Sequence, residues 1–163
     1  MLASPSIMQW LTALEASSLA TWVRESNSIW AYPTILTLHT VGLGILVGAN
    51  WALDLRLLGV GARVPLTPLK PLFPIMWFGF WLNAATGALL FASDATTKGT
   101  TSIFMWKLGI ITVSVIVIQL TNWTVFRSGR EEAQIPRIAK LLAVASLLLW
   151  AAAILTGRYM AYV

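Results

Sequence analysis

Charged residues collect in short clusters along the chain, and long apolar stretches run between them. Between Glu25 and Asp54 no Asp, Glu, Lys or Arg occurs, which predicts a first membrane span over about residues 30–53. The charge-free stretch 71–93 predicts a second. A third over 106–126 has Lys107 and Arg127 at its borders, and a fourth over 139–160 has Lys140 and Arg158 near its ends. Ionisable groups are costly in hydrocarbon and are kept to span ends. At about 1.5 Å per residue each stretch crosses a core of about 30 Å. The connecting segments are short and carry turn formers: Gly59, Gly61, Pro65 and Pro68 in 54–70, Gly99 in 94–101, Gly129 and Pro136 in 127–137. Short connections imply an antiparallel, up-down-up-down four-helix transmembrane bundle, hence an all-α membrane protein.

Ahead of the first span, Ser4-Pro5 is a helix start, and Ile7, Trp10, Leu11 and Leu14 recur at helical spacing. Ser17 or Ser18 caps a second short helix carrying Leu19, Trp22 and Val23. Residues 1–29 thus read as amphipathic helices on the outer membrane surface, an interfacial anchor or a docking element for a partner subunit. Residues 30–163 read as the transmembrane domain. No basic n-region followed by an apolar run and a cleavage site is evident near the start, so the first span is expected to direct insertion.

Composition sharpens this picture. Of 163 residues 58% are hydrophobic and 10% charged, against about 25% charged in soluble domains. The spans use nearly the whole chain, which leaves little for a catalytic domain. There is no cysteine, which excludes disulfides, thiolate-ligated metal and thiol catalysis. The net charge of +5 is a topology signal, not a nucleic-acid footprint. Arg56, Arg63, Lys70, Arg127, Arg130, Arg137 and Lys140 lie in the first and third connections, whereas the other side has Arg24, Lys98, Lys107 and Arg158. The positive-inside rule puts the larger group in the cytoplasm and both termini in the periplasm of a bacterial inner membrane.

Among the nine tryptophans, Trp30 and Trp106, together with Tyr159, fit an outer interfacial belt, and Trp51 and Trp123 an inner one. Trp77, Trp81 and Trp150 lie deeper, where they pack in the core or line a cofactor, a pigment, a lipid or a neighbouring subunit. The amides Asn50, Asn83, Gln119 and Asn122 are expected to hydrogen-bond between helices. Parts for hydrolase triads, paired-carboxylate chemistry and phosphate loops are missing.

Within the predicted spans the one candidate for chemistry is His39, about 9 Å inside the first span. Gly42 follows at i+3, and Gly44 and Gly48 form a GxxxG motif. These small residues admit a close helix, or a flat macrocycle held by the His39 imidazole with Leu43 and Leu46 as its wall. At a similar level Lys107 and Arg158 reach lipid head groups or neutralise haem propionates. Met105, Met160 or a second protomer's His39 could supply a further axial ligand. His and Met together also suit copper. A structural hydrogen bond is the remaining role for His39.

The segments RESNSIWAYP, LHTVGLGILVG, LDLRLLG, TGALLFASDA and FMWKLGI resemble an uncharacterised family of small four-span bacterial inner-membrane proteins, over residues 10–122. More distantly, the order of a His-Gly first span, a Thr-Gly second span and a Phe-x-x-Lys start to the third is similar to copper-resistance and cytochrome-b-like membrane bundles. The family often carries Glu where this chain has Leu36 and His where it has Arg127, so only His39 is carried over as a candidate ligand. The reading that results is a non-enzymatic subunit of a larger membrane complex, redox or photosynthetic. Its partners are the lipid bilayer and other membrane subunits or further copies of itself. The alternatives are a small haem b cytochrome using His39 and, third, a copper-handling protein.

Overall fold

The computed structural model describes residues 5–127 and 135–160. The Ser4 cap, the Gly129 turn former and the Arg130 topology charge lie outside the described residues. Two short helices, α1 (Pro5–Glu15) and α2 (Ser18–Glu25), precede the long α3 (Tyr32–Leu57) and α4 (Leu72–Ala92). A six-residue helix α5 (Ala95–Thr100), then α6 (Ser102–Asn122) and α7 (Arg137–Tyr159) complete the order. No strand occurs among the described residues. Four stretches are long and apolar enough to cross a membrane: Tyr32–Leu57, Thr67–Ala92, Ser102–Phe126 and Arg137–Tyr159. The fold is all-α with four candidate spans.

Local chemistry sets the element ends. Pro33 sits in the first turn of α3, where its missing N–H costs nothing. Ser17 caps α2 by accepting the Ala20 N–H at 3.4 Å. The helix α3 does not stop at Leu53 as the charge pattern suggests; it runs through Asp54 to Leu57. It ends where Gly59 (φ 105°) and Gly61 (φ 63°) take left-handed backbone that a Cβ would resist. The polar connection after α4 is itself helical, as α5. At the other end of α6 the chain widens into a π turn over Trp123–Arg127.

The chain divides into two compact units, residues 1–44 with 78–105 and residues 45–77 with 106–163. In the first, Ala20, Val23, Ala31, Ile35 and Ala95 are buried, and Phe91 stacks on Phe104 with centroids 4.7 Å apart. Leu11 of α1 lies against Gly99 of α5, where a Cβ would come within 2.8 Å of Leu11 Cδ2. In the second unit Leu46, Val47, Leu53 and Leu57 pack in a core that also holds Phe73, Met76, Val117 and Trp150. Phe73 meets Phe126 edge to face at 5.5 Å. Small buried residues on α7, Ala139, Ala143 and Ala153, mark the face it turns inward.

Candidate functional site

In the first unit the chemistry centres on His39. Gly42, one turn along α3, lets α4 approach so closely that a Cβ there would fall 2.8 Å from the Asn83 amide nitrogen and 3.1 Å from the Gly79 carbonyl oxygen. Across this seam His39 Nδ1 is 3.0 Å from the Asn83 carbonyl oxygen and 3.2 Å from Thr86 Oγ1. The Asn83 side-chain amide donates back to the His39 carbonyl at 2.7 Å. Gly87 completes the seat, since a Cβ there would meet His39 Cε1 at 3.0 Å. A carbonyl partner can only accept, so Nδ1 carries the proton of the neutral ring. Asn83 is thus the interhelical amide that its sequence position suggested.

These residues answer the two uses of Gly42. Its open side is filled by the backbone of α4, so it gives no room to a macrocycle, and a haem laid against Gly42 does not fit. The tautomer of His39, with Nδ1–H on a carbonyl, is nevertheless the one metal-ligating histidines adopt. Gly44 and Gly48 behave differently: beyond their own stretch of α3, no atom of the described residues lies within 4 Å of a Cβ placed at either. The GxxxG pair is open along α3, while Gly42, outside the motif, makes the close approach within the chain.

The remaining predicted site residues fall in both units. Met105 is 63% exposed on α6. Lys107, in the second unit, runs along α7 with Cε and Nζ 3.6 Å from a Cβ placed at Gly157, the neighbour of Arg158. The structure therefore brings Lys107 to the end of α7, where Arg158 is exposed and Met160 half-buried. No group of three His, Cys, Asp or Glu side chains suited to a metal ion occurs among the described residues.

The second unit holds a polar cluster that the charge pattern placed at a span border. Asp54 is 1% exposed, Asn50 2% and Ser146 1%. Asn50 Nδ2 donates to Asp54 Oδ2 at 2.7 Å and to Ser146 Oγ at 2.6 Å, and the Ser146 hydroxyl hydrogen-bonds the Asp54 carboxyl. The i, i+4 spacing of Asn50 and Asp54 puts both on one face of α3, and that spacing was the available signal. The same unit has a shallow groove of about 570 Å³ lined by Thr67, Lys70, Pro71, Phe73, Pro74 and Asn122.

Four apolar helices of membrane length, carrying polar groups that hydrogen-bond to one another, define a multi-pass integral membrane protein. Comparison with family models, with curated proteins and with solved structures finds no match.

Proposed function

We propose that the protein is a non-enzymatic subunit of a larger assembly in a bacterial inner membrane, with both termini on the periplasmic side. One observation carries this reading. Along α4, Phe78 and Trp81 are 63% and 65% exposed, and Ala85 and Ala88 continue the same exposed stripe. Trp81 stands about 13 Å from the first residue of α4, near the middle of its span. Tryptophan ordinarily sits at the membrane interface, where its N–H finds acceptors that lipid tails lack. An indole displayed at mid-span suits a transmembrane helix of another subunit, with an acceptor beside Trp81 and a bulky side chain over Ala85 and Ala88. The open Gly44 and Gly48 support the same reading, because small residues let a second backbone approach.

Photo-crosslinking tests it. A photoreactive residue replacing Trp81 is expected to give a discrete protein adduct in native membranes, while one replacing Val113, exposed on α6, gives lipid adducts. Lipid adducts alone at position 81, with a lone small particle after gentle detergent extraction, overturn the proposal. The His39 tautomer favours a second reading, a small cytochrome with His39 as axial ligand. A Soret band in the purified protein that is lost in His39→Ala would establish it. Copper retained through dialysis and lost on substitution of His39 or Met105 would instead establish copper handling. The orientation is checked with Thr97→Cys and Arg63→Cys, of which an impermeant thiol reagent is expected to label only the first from outside.

A further inference from the structure

The Asn50–Asp54–Ser146 cluster is a buried polar group of the second unit that contains a carboxyl, and the subunit reading makes no use of it. Asp54 lies inside a helix of membrane length, one turn before its end. Its polar partners are an amide and a hydroxyl, both neutral. The charged side chains described at this end form no ion pair with it. Arg56 donates through Nε to the Val64 carbonyl at 2.5 Å and through Nη2 to the Ala62 carbonyl at 3.0 Å. Arg63 and Lys70 in the connection, and Arg137 and Lys140 on α7, are exposed and form no ion pair with Asp54 among the described residues.

A carboxylate enclosed in this way must be neutralised by a small positive ligand, because burying an unpaired charge is expensive. Two features select the ligand. A metal cation needs several oxygen donors converging on it, yet Asn50 turns its N–H groups, not its oxygen, toward the carboxyl and Ser146. A proton needs only one carboxyl oxygen. The same unit also holds Thr121 Oγ1 and Trp150 Nε1, buried and without a hydrogen-bond partner among the described residues, and Trp150 lies one turn beyond Ser146 on α7. The core is therefore polar beyond what tying α3 to α7 requires.

We propose that Asp54, held by Asn50 and Ser146, is a proton-binding site near the end of α3. The bound form is the neutral carboxylic acid; release breaks its O–H bond, leaves the electron pair on the carboxylate and hands the proton to water on the side faced by the connection from α3 to α4. Proton binding turns a group that only accepts hydrogen bonds into one that also donates, so it changes the tie between α3 and α7.

Infrared difference spectroscopy on the full-length protein in lipid nanodiscs, titrated from mildly acidic to mildly alkaline pH, tests this. The expected result is a protonated-carboxyl C=O band that shifts in D2O, fades as pH rises and is absent from Asp54→Asn. Ser146→Ala, which keeps the carboxyl, is expected to retain the band but shift its frequency and its titration midpoint. Should Asp54→Asn fail to fold, the Ser146→Ala shift decides alone. Absence of any such band in the wild type, or an unmoved band in Ser146→Ala, overturns the proposal. So does a band abolished by adding sodium at constant pH, which would make the site one for a metal cation.

Discussion

The helix α3 carries two polar anchorages of opposite design. In the first unit, His39 is half-buried and bonds the main chain of α4 through the Asn83 carbonyl, at a seam that Gly42 makes narrow. In the second, Asn50 and Asp54 are fully buried and bond the side chain of Ser146 on α7. The seam depends on shape, because a backbone carbonyl is present whatever residue stands at position 83. The cluster depends on chemistry, because removing any member takes a hydrogen-bond partner from each of the other two. The first should therefore fail through bulk and the second through lost hydrogen bonds.

The largest effect is expected where bulk meets backbone. Gly42→Leu drives its side chain into Asn83 N, Asn83 Cα and the Gly79 carbonyl, none of which can rotate away. A loss of about 3 kcal/mol or more is expected, read as a collapse of the monodisperse peak and a lowered melting temperature in detergent. Gly44→Leu, two residues on, puts its Cβ in open space with no atom of another described element within 4 Å and should leave the isolated protein's melting temperature unchanged. Equal damage from both would break the comparison.

Next in size is the side-chain cluster. Asn50→Leu removes two donated hydrogen bonds and leaves Asp54 and Ser146 in an apolar core, at an expected cost of about 2–4 kcal/mol. His39→Leu removes one ring N–H that the Asn83 carbonyl and Thr86 Oγ1 share, from a half-buried position, and should cost about 1 kcal/mol, as is usual for hydrogen bonds between membrane helices. Thermal unfolding of the two variants in one detergent ranks them. If His39→Leu is the more damaging, the histidine carries more of the fold than its two acceptor contacts supply.

This contrast also explains which parts were readable in advance. The spans followed from charge spacing alone, because hydrocarbon excludes ions more strictly than any packing rule favours them. The same rule misplaced Asp54. Treated as a border marker, it proved to be an interior residue, sheltered by partners 4 and 92 positions away, and only the nearer of these is visible as a helical repeat. The interhelical role of Asn83 was legible because a mid-span amide has few other uses. The division of labour among the glycines was not. GxxxG spacing shows that a face is flat, but which neighbour uses it depends on helix rotation, and here Gly42 meets α4 while Gly44 and Gly48 remain open.

The smallest expected effect concerns how α1 is attached, and it sharpens the comparison by adding a third, solvent-facing anchorage. Glu15 Oε2 accepts hydrogen bonds from the Thr96 backbone N–H at 2.8 Å and the Thr96 hydroxyl at 2.6 Å, and Glu15 Oε1 pairs with Arg24 at 3.4 Å. Asp94, the N-cap of α5, makes no side-chain cap bond, so the carboxylate of α1 satisfies the first turn of α5 in its place. The Thr96 hydrogen bonds, followed by the Arg24 charge, hold the Glu15 carboxyl below its ordinary value of 4.5. A depressed value means that the folded state prefers the ionised form. The contribution of this contact is therefore complete above that ordinary value and is lost as pH falls through the lowered one. At neutral pH α1 should be docked, and mild acid should not release it. Hydrogen exchange in the amides of α1 is expected to accelerate only in stronger acid, whereas in Glu15→Gln the attachment should be weaker and indifferent to pH over that interval. Acceleration already near neutral pH would mean that the contact owes its strength to something other than the carboxylate, since an exposed ion pair alone is worth little.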